Sequence, residues 1–369
     1  MSRIGCQYAV LFHIWSIFEK DKAIKMAKYI CALCKEEKDE LKKNTHYLTD
    51  SIIRSCLNLD GSGNNQEGLY FDISNTTPFV DFNFQRNTSV AKLEEALGRE
   101  ATEEERAKAF EIPFSVDYVF CKQCEDKFTK IETEFVATIL PRFREANLEG
   151  IPQISVKEAL LTRLFFYLQI FRSAVCEPIF KPSENSIEEL RKIILSSEAL
   201  TNEKIYHFPL HVTYLQTTGG PKEYTSNLVG FSDDRNPHVI FFNDFVIQFF
   251  DTPEEVSFKD IFGLMTKDEF TSTINLKEQT FIILVRSNGQ RQAFLGHYAS
   301  KEKVDRSIEV LRYKFSELWK RVFAFSPSER LWQEYMSGLV GSDVAKILKY
   351  TPKEVVKYTR DFVMRKLQQ

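Results

Sequence analysis

Four of the seven cysteines fall in two C-x-x-C pairs, Cys31 with Cys34 and Cys121 with Cys124. Each pair can present two thiolates from one tight turn, and two pairs supply the four soft ligands of a tetrahedral zinc ion. The long intervening segment must be closed by the fold. Zinc offsets that cost because its binding is itself folding free energy, about 10–16 kcal/mol in isolated structural sites. A redox dithiol is the competing reading, but it needs one pair beside a βαβ unit, and no such unit adjoins these cysteines. Cys6, Cys56 and Cys176 have no paired partner and read as small buried hydrophobes. Zinc at Cys31, Cys34, Cys121 and Cys124 is therefore the first expectation.

The surroundings of the pairs carry a second signal. In order along the chain come CALC at 31–34, THYLTD at 45–50, and CKQCEDKFTKIE at 121–132. Over residues 28–140 this order resembles the four-cysteine, treble-clef zinc fold of the HNH endonuclease superfamily. The resemblance implies that His46 acts as general base on a water attacking a DNA phosphodiester, work that suits a group titrating near neutrality. It also implies that Glu125, next to the fourth cysteine, ligates a catalytic Mg or Mn ion, a hard cation that seeks oxygen. Glu132 lies seven residues further on the same helix face and would reinforce that site. Three departures are visible. Thr45 stands where an acidic or histidine ligand is usual, no asparagine is placed to orient the imidazole, and Thr49 or Asp50 replaces the motif's proline. They motivate the alternative, a catalytically silent zinc module in an interaction or sensor protein.

Phosphate contacts would fall to Lys122, Lys127 and Lys130 on the zinc helix, with Arg163 and Arg172 in the apolar segment RLFFYLQIFRSAVCE as further candidates. The plainer reading makes the lysines a solvated helix face and the arginines braces for core carboxylates. His13, His207, His211, His238 and His297 read as structural. No dinucleotide-binding or Walker glycine loop and no G-x-S-x-G elbow is present.

The elements that must hold these groups follow from periodicity. Residues 8–30 suggest a helix, and its apolar face around Leu11, Ile14, Trp15 and Phe18 offers a surface for a homodimer. NLDGSGNNQEG at 58–68 reads as a loop, flanked by strands in GLYFDIS and PFVDFNF. A charged helix is expected over 89–109, a strand in IPFSVDYVF, and a helix after Cys124. Ser155 with Glu158 suggests a capping box opening a helix over 155–176, and Ser186 with Glu189 another to about 198. From 204 to 298 strands are expected, with turns at 219–221, 233–237 and 287–289. The apolar run 239–250 reads as a central strand or bent pair. Helices return over 302–325 and 327–368, with Thr351-Pro352 opening the last.

Together these readings predict an α+β chain: residues 1–150 as the HNH-like zinc domain, 151–202 as a helical segment, and 203–369 as a strand-and-helix domain of unassigned role. A front of nuclease type with an unfamiliar back is an arrangement associated with prokaryotic antiviral defence. A net charge of −3, from 49 Lys and Arg against 52 Asp and Glu, excludes a uniformly basic nucleic-acid coat but not a local groove. No run of 18 apolar residues occurs, and the start lacks a signal-peptide pattern, so a cytoplasmic protein without membrane partners is expected.

Overall fold

The computed structural model describes residues 28–57, 69–72, 81–84, 89–97, 99–108, 112, 114–201, 204–206, 208–217, 228–232, 235–277, 280–350 and 352–368. Most of the expected 8–30 helix, its proposed dimer face, the 58–68 loop, Cys6, His13 and His207 lie outside them.

Three short strands open the described chain: β1 (Tyr29–Ile30), β2 (Glu37–Lys38) and β3 (Thr45–His46). Helix α1 (Asp50–Leu57) and strands β4 (Leu69–Asp72) and β5 (Asp81–Phe84) follow. The charged stretch divides into α2 (Val90–Leu97) and α3 (Glu103–Lys108) before β6 (Ser115–Val116). Next come α4 (Lys122–Thr138), the short α5 (Pro141–Arg144), β7 (Gln153–Val156), α6 (Ala159–Cys176) and α7 (Glu184–Leu195). The strand-rich part contains β8 (Leu210–Leu215), β9 (Leu228–Phe231), β10 (His238–Phe242) and β11 (Phe245–Phe249). Helix α8 (Lys267–Thr273), β12 (Phe281–Arg286) and α9 (Asn288–Tyr298) complete it. Three helices close the chain: α10 (Arg306–Phe323), α11 (Glu329–Val340) and α12 (Pro352–Leu367).

The result is an α+β architecture around one mixed eight-stranded sheet, ordered β5-β4-β9-β10-β11-β8-β12-β7. β4 lies parallel to β9 and β12 parallel to β8, while the other neighbours are antiparallel. Strands from both sides of residue 150 join it: β4 and β5 precede that point and β7 follows. Side-chain alternation divides the sheet's two faces. Val212, Tyr214, Ile240, Phe242, Phe245, Ile247, Phe281 and Ile283 pack on the face covered by α4, α6 and α7. Leu215, Val239, Phe241, Val246 and Leu284 pack on the other, with Phe270 of α8 and Phe294 of α9. With both faces covered, the central strands read as unbroken apolar runs. The 239–250 run is the bent pair: β10 and β11 form a hairpin that turns at Asn243 and Asp244. α10, α11 and α12 build a separate aromatic core around Phe315, Trp332 and Tyr335.

The structure corrects several local expectations. Ser155 lies in strand β7, paired with Ile282 of β12, and α6 starts at Ala159 with no side-chain cap. The cap of α7 is Ser183, which accepts the Ser186 amide, three residues before the expected start. Helices α8 and α9 also interrupt the stretch expected to be strands, and both carry overlooked capping signatures. Thr266 and Glu269 form a reciprocal capping box. Ser287 and Gln290 do the same across the S-N-G-Q segment, where the sequence predicts a turn. α6 is long and apolar enough to cross a membrane by composition, yet 72% of it is buried inside the protein as the central core helix.

Candidate metal centre

Two turns and a helix start create the site. After Cys31 the chain folds back on itself: Lys35 takes a left-handed conformation at φ 60° and its amide donates to Cys31 O at 2.9 Å. Cys121 is the N-cap of α4, so Cys124 lies in the first helical turn, its amide 3.1 Å from Cys121 O. The two turns are tied directly, because Ala32 N–H donates to Val119 O at 3.0 Å and Lys42 N–H to Phe120 O at 2.9 Å. Asn44, also left-handed at φ 52°, donates its amide to Asp117 Oδ1 at 2.6 Å. Beyond it β3 pairs with β6, Thr45 opposite Val116 and His46 opposite Ser115.

This scaffold gathers the Sγ atoms of Cys31, Cys34, Cys121 and Cys124 within 4.8 Å of one another. Tetrahedral zinc with Zn–S bonds of about 2.3 Å needs sulfurs about 3.8 Å apart. Cys31 and Cys124 are 3.6 Å apart. Cys31, Cys121 and Cys124 are buried, and the Cys121 amide donates to Cys31 Sγ at 3.3 Å, a contact that favours a thiolate. The close contact between the two sulfurs pulls Cys31 well below the usual thiol range and raises Cys124. Burial raises Cys34. A divalent ion resolves this conflict by removing the protons and neutralising half the charge of four thiolates. Lys38 and Arg191 stand close enough to feel the cysteines' charge, and Arg191 donates to Leu33 O at 2.7 Å. The donor set, spacing and burial fit structural zinc. The same cysteines belong to the hydrophobic cluster that continues through Phe120 and Phe128 to the sheet.

The other sequence candidates are distributed differently. Glu125 follows Cys124 but points inward: it is 6% exposed, and its Oε1 has no hydrogen-bond partner among the described residues. Burial pushes its carboxyl up, against the pull of Arg172 and Lys42. Glu132 is engaged through Oε1, which accepts from Arg172 Nη1 at 2.8 Å and from Thr49 Oγ1 at 2.7 Å. Gln169 completes this network. Its Oε1 accepts the Thr49 amide at 3.0 Å and its Nε2 donates to Thr49 Oγ1 at 2.8 Å. Arg172 is 3% exposed and lies over the Phe128 ring, 5.2 Å from its centroid. Arg163 is equally buried and donates to Phe208 O at 3.1 Å. Both arginines are thus held inside the core rather than on a surface a phosphate could reach. Lys122 and Lys130 are exposed and Lys127 is half-buried; Lys130 pairs with Glu198 at 2.7 Å.

His46 is half-buried, with Nε2 3.6 Å from Asp50 Oδ1. Among the described residues the four cysteines are the one cluster of three or more side chains able to hold a metal, and His46, Glu125 and Glu132 do not gather into another. Thr49 stands in the sequence only as a departure from the motif and Gln169 carries no expected role, yet they are the links of the buried network. Their side chains meet across 120 residues, and no local pattern announces that contact. His211 and His238 are buried and bonded to Thr273 and Asp251, as structural histidines are. The chain matches no protein-family model, no curated protein and no solved structure. What the site establishes is a four-cysteine centre suited to structural zinc.

Proposed function

We propose that residues 28–140 are a catalytically silent zinc module, and that the chain works as an interaction or sensor protein built on it. The buried bracing of the acidic residues is the observation that carries this reading. Glu132 is held by Arg172 and Thr49, and Glu125 is enclosed beneath the knuckle. A carboxylate serving a hydrated Mg ion needs an open path for the substrate's phosphate, since such ions keep several waters and bind phosphate oxygens directly. In this reading the zinc holds the N-terminal knuckles against the sheet, and Thr45 leaves the usual acidic position without charge. A reduced four-thiolate site fits a cytoplasmic location.

A second reading keeps the treble-clef nuclease of HNH type, with His46 as base and Glu125 and Glu132 at a Mg or Mn ion. The nearness of Asp50 to the His46 imidazole favours it, because a carboxylate there could orient the ring. Cleavage of supercoiled plasmid, single-stranded DNA and RNA with Mg²⁺ or Mn²⁺ separates the two. The silent module is expected to give equal background rates for wild type and His46→Ala. A loss of about 10²–10⁴ in the variant, with zinc content unchanged, would establish the nuclease instead.

A further inference from the structure

Far along the chain from the zinc centre, the parallel strands β8 and β12 end side by side, with Arg286 opposite Leu215. The Gln216 amide donates to Arg286 O at 2.8 Å, and the Val285 amide to Pro152 O at 2.7 Å. Helix α9 begins two residues beyond Arg286, and the 147–152 segment faces it. Between them lies a cleft of about 850 Å³, lined by Gln216, Arg286, Asn288 and Gly289 among others. Ligands of sheets containing parallel strands collect outside the strands' carboxyl ends, where a following helix N-terminus adds its unsatisfied amides. The volume is that of a small-molecule site.

Two features of this cleft point to an anionic ligand. The first is Arg286, whose side chain is 7% exposed. Its Nε donates to Leu264 O at 2.7 Å and its Nη2 to Glu269 Oε2 at 2.7 Å. Its Nη1 has no hydrogen-bond partner among the described residues. A smaller cleft of about 560 Å³ is also lined by Arg286 and Glu269. The second is the opening of α9. Ser287 and Gln290 satisfy each other's amides, which leaves those of Asn288 and Gly289 unpartnered among the described residues. No acidic residue occupies this first turn. A Cβ built on Gly289 would meet only Ser287 Oγ, at 3.9 Å, so the backbone there is open to approach.

We propose that this cleft binds a small polar molecule through an oxyanion, a phosphate or a carboxylate, held by Arg286 and the first amides of α9. Two carboxylates, Glu269 and Glu149, also line the cleft; Glu269 shares Arg286, so the oxyanion is held by directed hydrogen bonds from Arg286 Nη1 and the α9 amides rather than by net charge, and Asn147 and Gln216 offer hydrogen bonds to the uncharged part of the ligand. The inference goes beyond the zinc module and stands or falls apart from it.

The test uses the full zinc-loaded chain, with inorganic phosphate and citrate titrated separately at constant ionic strength against chloride. Saturable binding of at least one probe is expected by calorimetry, and the probe that binds assigns the phosphate or the carboxylate. Asn288→Pro removes one amide at a position where proline suits a helix start and is expected to weaken binding about tenfold, the worth of one charge-assisted hydrogen bond. Asn288→Ala keeps the amide and should bind as wild type does. Arg286→Gln should weaken binding at least as much as Asn288→Pro; if it fails to fold, the proline variant decides. Absence of saturation with both probes, or equal affinity in wild type and Asn288→Pro, would overturn the proposal.

Discussion

Replacing Glu132 with alanine strips the buried Arg172 guanidinium of its hydrogen-bonded counter-ion. The pair is 2.8 Å apart, with the arginine side chain 3% exposed and the glutamate 18%. Breaking such a pair from one side typically costs about 3–5 kcal/mol, because a charge is left buried without compensation. Here the lower end applies, since Glu125 already attracts Arg172 and can take over part of the role. If the 369 residues unfold together, an unfolding entropy of about 2.1 cal/mol/K per residue turns 3 kcal/mol into a melting-temperature drop of about 4 °C. Calorimetry on zinc-loaded protein measures it. Glu125→Gln combined with Glu132→Ala removes the substitute as well, so its loss should exceed the sum of the two single losses by more than 0.5 kcal/mol, roughly the scatter expected for independent sites. Arg172→Met combined with Glu132→Leu removes both charges and should recover at least half the single-variant loss. A Glu132→Ala protein that melts with wild type, or strictly additive losses, would refute the bracing argument.

Two further outcomes test the core. Burial, aided by the charge of Arg286, pushes His211 down to about 3. Its neutral form is therefore favoured on folding, and stability present above pH 6.5 should fall as pH drops toward 3, at up to about 1.4 kcal/mol per unit. His211→Gln should flatten that slope in urea titrations, whereas equal slopes would contradict the assignment. Arg144→Ala leaves Asp244, 2% exposed and 2.5 Å from the arginine, without this counter-charge and should cost about 3 kcal/mol in chemical denaturation; a loss under 1 kcal/mol would contradict a stabilising role for the pair.

The zinc ligands were legible because a C-x-x-C turn is a local event, and spacing alone identifies it. The helix opening at Pro352 was legible for the same reason, whereas the 239–250 run reads equally as one central strand or a bent pair, and only the structure selects the pair. Ser155 shows where that reading stops. Its spacing to Glu158 mimics a helix cap, but the segment pairs with Ile282, 127 residues away, and ladder hydrogen bonds override the local preference. Helix α9 was missed differently. Ser287 and Gln290 carry a capping pattern, yet the Asn-Gly between them is an equally strong turn signal. At the centre itself, the sequence placed Glu125 and Glu132 on one helix face but could not reveal that the face turns inward. That orientation is set by Gln169 and Arg172 on α6, which meet Thr49 and Glu132 through packing rather than through any local pattern.

Metal analysis joined to X-ray absorption at the zinc edge, on protein purified without added metal, tests the four-cysteine centre. One zinc per chain is expected, with four sulfur neighbours at about 2.3 Å and no oxygen or nitrogen in the shell. Cys124→Ser should lose most of that zinc. Protein that folds with no zinc, or zinc bound through fewer than three sulfurs, would contradict the four-cysteine centre.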